Sequence, residues 1–282
     1  MLWVYIRRVL RWRRNSYPFL TGDAFADFAD FEVYPPKFRK KTPSIERIKN
    51  AGVLFCDSSM LQDFLNNYGD LISAKVIISG NSDFEFHSEL LNIPKTVRAV
   101  FLQNSFISDN KMIFTLPIGI ENFRWGVNGH PRLMRTMSTA QKLNKILAGP
   151  FGNTHPERNK VLEKLSEVES GVNILNERIS PRKLARLMVN YRYVAAVRGN
   201  GVDTHRLWEA LYRGAVPIIK RDDWSKSLHF LDLPIIEILD WDSRQLSTIV
   251  AKHDYKFFDP SEIEALWMPY WEEKIRRIVA KN

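Results

Sequence analysis

The chain has 282 residues, 45% hydrophobic, 26% charged and 12% aromatic, with a formal net charge of +9 from 41 basic and 32 acidic side chains. This is the composition of a folded chain long enough for two domains, and no apolar run approaches the ~20 residues that span a bilayer. One cysteine, Cys56, excludes an internal disulfide and a thiolate zinc cluster, while the positive balance favours an anionic partner: nucleic acid, a membrane surface or a phosphorylated substrate.

The opening, MLWVYIRRVLRWRRN, places Leu2, Ile6, Val9 and Leu10 on one helix face among five arginines. It fits a helix lying on an anionic membrane surface, and equally a helix docked on its own domain. It lacks the apolar stretch and small-residue cleavage site of a signal peptide, so a cytoplasmic location is expected, at the inner face of the cell membrane if residues 1–14 bind lipid. Two further basic runs are KFRKK (Lys37 to Lys41) and EEKIRR near the C-terminus. Between the first two runs, Thr21-Gly22-Asp23 predicts a turn capping a short helix through Phe28.

From Ser44 the pattern alternates between strand and helix. AGVLFCDSS predicts a buried strand with a polar end, and SMLQDFLNNYG a helix closed by Gly69. AKVIISGNSD and VRAVFLQNS predict two more strands, and KMIFTLPIGIEN a strand stopping at Pro117 and Gly119. A second series follows a break near Arg132 to Gln141. NKILAGPFGNTHPERNKVLEKL gives strand, loop and helix; SPRKLARLMVNY a helix; RYVAAVRGNG a strand and loop; DTHRLWEALYRG a helix; AVPIIK and LPIIEIL strands. The final stretch is expected to be helical with a break at Pro269. Short parallel-type strands alternating with helices predict an α/β fold of two doubly wound domains, with ligands beyond the carboxyl ends of the strands. The expected divisions are an N-terminal arm (1–43), a first domain (44–137), a second domain (138–255) and a C-terminal helical segment (256–282).

RGNGVDTHRLWEALYRGAVPII, Arg198 to Ile219, is the densest polar stretch. Arg198 follows the apolar strand YVAAV, and Gly199-Asn200-Gly201 lets the backbone turn. Asp203 or Thr204 is placed to cap the next helix, and exposed N–H groups beside an arginine suit a phosphate. His205 and Glu209, four apart, share a helix face. Thr204 stands where a third glycine would complete G-x-G-x-x-G, and no P-loop motif occurs, so neither familiar nucleotide signature applies. The bland reading is an ordinary strand–turn–helix with a charged cap, yet seven hydrogen-bonding side chains in twelve residues exceed what a cap needs. The remaining histidines, His87, His130, His155, His229 and His253, show no metal spacing.

The same stretch resembles the donor-binding segment of exostosin-like glycosyltransferases, R-G-x-G-x-D-x-H-R-x-W-E-A-L-x-x-G-x-x-P-I-I. LPIGIEN, FLQNS and SGNSD are similar to shorter segments of bacterial surface-polysaccharide glycosyltransferases. The resemblance spans roughly residues 75 to 240 and implies a GT-B-like fold, two Rossmann-like domains facing a cleft, with a nucleoside diphosphate sugar held by the second. It implies donor binding by Gly199, Asn200, Gly201, Asp203, Thr204, His205 and Glu209, with Glu209 matching the glutamate that reaches the ribose. A partner glutamate eight residues earlier would fall at Gly201, which leaves the inverting or retaining outcome open.

The expected chemistry is sugar transfer to a glycan or lipid-linked glycan, with no cofactor and no metal. Arg198 and Arg206 would stabilise the departing diphosphate, with Lys145 or Arg158 as a further cation. Asp83, in the turn after KVIIS, is the expected catalytic base, and Asp57 and Glu121 are the alternatives; Asp57 and Arg158 also fit a helix cap and a solvated helix residue. A non-catalytic glycan-binding relative and a basic nucleic-acid-binding protein are the competing readings; no recognisable nucleic-acid reader motif is present, so no nucleic-acid partner is expected.

Overall fold

The computed structural model describes residues 16–35, 44–87, 91–107, 110–125, 128–134, 141–168 and 170–281. The basic arm of residues 1–14 and the KFRKK run therefore lie outside the described residues.

The first sheet holds β1 (Phe31–Val33), β2 (Val53–Asp57), β3 (Val76–Gly80), β4 (Ala99–Leu102) and β5 (Ile113–Thr115), all parallel and in chain order. Its apolar runs are continuous because both faces are covered. Successive side chains point to opposite faces, so Val53 and Phe55 join one core while Leu54 and Cys56 join the other. Helix α1 (Gly22–Phe28) packs on the first face; α2 (Ile45–Asn50) and α3 (Leu61–Tyr68) bring Ile48, Leu61, Phe64 and Leu65 to the second. The Thr21 hydroxyl accepts the Ala24 amide at 2.9 Å, the cap read from the sequence.

A short helix α4 (Pro131–Met134) precedes the second sheet. That sheet contains β6 (Leu143–Ala148), β7 (Val172–Ile174), β8 (Tyr191–Ala195), β9 (Val216–Lys220) and β10 (Ile236–Ile238), parallel, in the order β10-β9-β8-β6-β7. The order reverses at β6, the switch point beyond which such sheets bind ligands. Helices α5 (Glu157–Ser166), α6 (Pro181–Met188), α7 (His205–Leu211), α8 (Asp223–Lys226) and α9 (Ser243–Lys252) surround it. Val161, Leu165, Leu246 and Ile249 cover one face; Met188 and Ala210 cover the other.

The chain then returns to the first sheet. Helix α10 (Met268–Ala280) carries Trp271, fully buried, against Phe25 at 6.0 Å and Phe101 at 6.2 Å between ring centroids. Phe19 pairs with Trp267 in an antiparallel bridge, so both ends of the described chain meet on this sheet.

Three expectations change. Pro269 does not break a helix; it occupies the first turn of α10, where a missing N–H costs nothing. The first sheet starts before residue 44, because β1 supplies its edge strand. β7 is a third short strand in a stretch without apolar periodicity.

Trp271→Ala should lower stability by about 3–5 kcal/mol, the usual cost of emptying a buried aromatic site. Urea denaturation measures it, and an unchanged midpoint would show that α10 contributes no core to the first sheet.

Candidate active site

The carboxyl ends of the two sheets meet along one seam. Asp203 lies at its centre, 3% exposed. Its Oδ2 accepts the Ile118 amide at 2.8 Å and its Oδ1 accepts Trp208 Nε1 at 2.8 Å. Its own amide donates to Asn104 Oδ1 at 3.0 Å, so one residue ties the glycine loop to the ends of β4 and β5. Burial pushes its carboxyl up to about 7, against the pull of the N–H donors. Both oxygens of Asp203 are thus engaged in holding the seam. Thr204 occupies the cap position of α7 without a side-chain cap bond, and its buried hydroxyl has no hydrogen-bond partner.

Close approach leaves no room for a side chain at Gly201 and little at Gly199. A Cβ on Gly201 would lie 2.6 Å from Asn104 Nδ2, and one on Gly199 would lie 3.1 Å from Arg158 Nη2. The loop is thus pressed between the first domain and a guanidinium.

Three arginines crowd the second-sheet side. Arg158 donates from Nε to the Arg198 carbonyl at 2.8 Å, from Nη1 to Gly152 at 3.2 Å and from Nη2 to Val197 at 3.2 Å. Its partners here are carbonyls, which orient the guanidinium without neutralising it. Arg206 donates from Nη1 to the Gly149 carbonyl at 2.7 Å and has Nε 3.4 Å from Glu209 Oε2. Burial, then Arg206, lowers the Arg158 pKa from its ordinary value. Burial also lowers His155, with Arg198 next as a cause. Arg158 is half-buried, not the solvated helix residue that the sequence also allowed. Lys145 is exposed on the outer half of β6, short of the strand's carboxyl end.

Arg198 does not project freely into a cleft. Its Nη2 is 2.5 Å from Glu85 Oε1, across the seam, and its Nε is buried without a hydrogen-bond partner. Asn200 Nδ2 donates to Asp83 Oδ2 at 3.2 Å in parallel with that pair. Glu85 escaped the sequence reading because nothing local to FEFH marks a partner 113 positions away.

On the first-sheet side lies a cavity of about 350 Å³ lined by Asp57, Asn81, Asp83, Gln103, Glu121, Asn122, Arg124, Trp125 and His205, among others. Asp57 Oδ1 accepts Ser59 N at 3.0 Å as a helix cap, the alternative role read for it. Glu121 Oε2 accepts the Asn128 amide at 3.0 Å. Asn81 and Asn104, at the ends of β3 and β4, have φ of 61° and 54°, a left-handed conformation concentrated at functional sites. Behind the cavity, Asn81 Nδ2 donates to Tyr34 Oη at 2.9 Å and to Asp23 Oδ1 at 3.3 Å, and Arg124 pairs with Asp23 at 3.1 Å.

His205 and Glu209 diverge although they start one turn apart. His205 reaches the Gly119 carbonyl of the first domain at 2.8 Å, whereas Glu209 stays with Arg206. Among the described residues no cluster of three His, Cys, Asp or Glu side chains could hold a metal ion, and no helix is long and apolar enough to cross a membrane.

No family model and no curated protein matches the chain. Among the solved structures that resemble it are the following three. AviGT4, a glycosyltransferase involved in avilamycin A biosynthesis, is 12% identical with a TM-score of 0.38, over 82% of this chain and 85% of that one. The GtfA/B complex is 10% identical with a TM-score of 0.34, over 81% and 57%. Sucrose-phosphate synthase from Thermosynechococcus elongatus is 12% identical with a TM-score of 0.29, over 83% and 56%. This chain thus spans little more than half the length of the last two.

Burial pushes the Asp23 carboxyl up to about 6, with Arg124 opposing. The folded state then keeps a proton that the unfolded chain loses between about pH 4 and pH 6. This group's stabilisation is full below about pH 4 and is lost as pH rises through 6. Asp23→Asn should remove that decline, at most about 3 kcal/mol at about 1.4 kcal/mol per pH unit. Denaturation midpoints from pH 4 to 7 test it; an unaltered slope would mean that the carboxyl titrates as if in water.

Proposed function

We propose that the protein transfers a sugar from a nucleoside diphosphate sugar to a hydroxyl of a glycan or lipid-linked glycan, in the assembly of a surface polysaccharide. The observation that carries this reading is the arginine crowd at the carboxyl edge of the second sheet. Arg158 donates to the Arg198 carbonyl and lies close enough to Arg206 for its pKa to be lowered by it, while Arg198 and Arg206 pair with Glu85 and Glu209. Partly buried like charges are costly unless an anion joins them. A diphosphate fits, because guanidinium forks bind phosphate oxygens bidentately.

In this reading the diphosphate lies against Arg158 and Arg206, and Arg198 exchanges Glu85 for a phosphate oxygen. These cations stabilise the negative charge that grows as the sugar–phosphate bond breaks, so the reaction is proposed to need no metal. Glu209 is the proposed ribose contact. The cavity across the seam receives the acceptor: its amides, carboxylates and the half-exposed Trp125 suit a hydroxyl-rich molecule with apolar ring faces. A location at the inner face of the cell membrane, through residues 1–14, belongs to the same proposal.

A thermal-shift screen with UDP-, GDP-, CMP- and dTDP-sugars should identify one stabilising nucleotide. For that nucleotide, Arg158→Ala should weaken binding about 10- to 100-fold by calorimetry, the scale of a lost charge-assisted hydrogen bond. EDTA should leave turnover unchanged. Nucleotide affinity equal in folded Arg158→Ala and unmutated protein would remove the arginine crowd from the donor site, and strict dependence on Mg²⁺ or Mn²⁺ would contradict the metal-independent route.

A further inference from the structure

We infer that His205, and not Asp83, is the general base that takes the proton from the acceptor hydroxyl; this rests on the sugar-transfer reading above. The first observation is where the ring points. His205 belongs to the glycine-loop segment of the second domain, yet its imidazole lines the cavity of the first. It is the side chain of that segment that enters the acceptor cavity, immediately before Arg206 of the arginine crowd. A hydroxyl beside its ring would lie at the seam between the two sheets.

The second observation is the state of the ring. Nδ1 is 2.8 Å from the Gly119 carbonyl oxygen. A carbonyl only accepts, so Nδ1 carries the hydrogen. In the neutral imidazole the lone pair is then on Nε2. Gly119 can hold its carbonyl there because its φ of +65° and its contact with Leu20 exclude a side chain: a Cβ would lie 2.0 Å from Leu20 O. The histidine thus has a fixed tautomer, supplied by a fixed backbone.

The carboxylates of the same cavity are held otherwise. Asp57 caps a helical turn through Oδ1, Glu121 accepts the Asn128 amide, and Asp83 accepts Asn200 Nδ2 while lying exposed at the rim. Each of these carboxylates has an oxygen already engaged by a donor of the protein. An imidazole is intrinsically the stronger proton acceptor by about two pKa units.

The step balances as a single displacement. The acceptor oxygen gives its proton to His205 Nε2 and forms a bond to the anomeric carbon. The bond from that carbon to the diphosphate oxygen breaks, and its electron pair leaves with the nucleoside diphosphate. The imidazolium then releases the proton to solvent through the cavity. One displacement inverts the anomeric configuration.

The test combines kinetics with a spectroscopic readout. His205→Ala should lower kcat 100-fold or more, the range for a lost general base, with donor KM within about threefold. Added imidazole should restore part of the rate, and the product should show inverted anomeric coupling in proton NMR. In histidine-labelled, otherwise unmutated protein, long-range nitrogen–proton spectra should show His205 with hydrogen on Nδ1. A kcat within threefold of the unmutated enzyme, a retained configuration, or hydrogen on Nε2 in the neutral ring would each overturn the assignment while leaving sugar transfer intact. An unmutated protein that transfers no sugar from any donor it binds would overturn the sugar-transfer reading itself, and this assignment with it.

Discussion

The buried carboxylate of Asp203 is the constraint on which the rest depends. A carboxyl removed from water costs several kcal/mol unless its oxygens are satisfied. Here each oxygen has an N–H donor, one from Ile118 of the first domain and one from Trp208 of the second. This bond pair ties the ends of the two sheets together, beside the hydrophobic core they share. The glycine loop must then pass beside Asn104, which admits no Cβ at Gly201. That passage delivers Arg198 to Glu85, Asn200 to Asp83 and His205 to Gly119. Each contact crosses the seam, and each follows from where Asp203 anchors the loop.

The seam separates two electrostatic environments. On the second-sheet side, backbone carbonyls orient Arg158 without cancelling its charge, and Arg198 and Arg206 are each paired with a glutamate. On the first-sheet side, amides, carboxylates and an aromatic ring surround a cavity of about 350 Å³. Positive charge suits a departing diphosphate and a mixed polar wall suits a saccharide. Both sets of groups lie on loops at the ends of parallel strands, and under the proposed reading a donor would have to rearrange the Arg198–Glu85 ion pair.

Much of the fold was legible because its signals are local. Continuous apolar runs such as VLFCD and KVIIS with polar ends mark strands buried on both faces, and Thr21 marks a cap three residues before its partner. β1 and β7 were not legible: unlike β5 and β10, which lie in the longer apolar runs MIFTLPI and LPIIEIL, these three-residue strands have no such run around them, and their pairing is decided by the neighbouring strand. Pro269 was misread because a proline opening a helix and one breaking it differ only in what precedes them. The glycine loop stood out by its density of polar side chains. Its division of labour was not legible, since Asp203 and His205 are assigned by contacts 85 and 86 positions away. Arg158 looked like a surface residue because its carbonyl partners, Val197 and Arg198, lie on a different strand end.

The most direct measurement is a crystal structure of the protein with the nucleoside diphosphate that stabilises it. The account predicts the diphosphate against Arg158 and Arg206 at the edge of the second sheet, with Arg198 turned from Glu85 to a phosphate oxygen and His205 Nε2 facing the cavity across the seam. A diphosphate bound against the first sheet, or away from all three arginines, would contradict it.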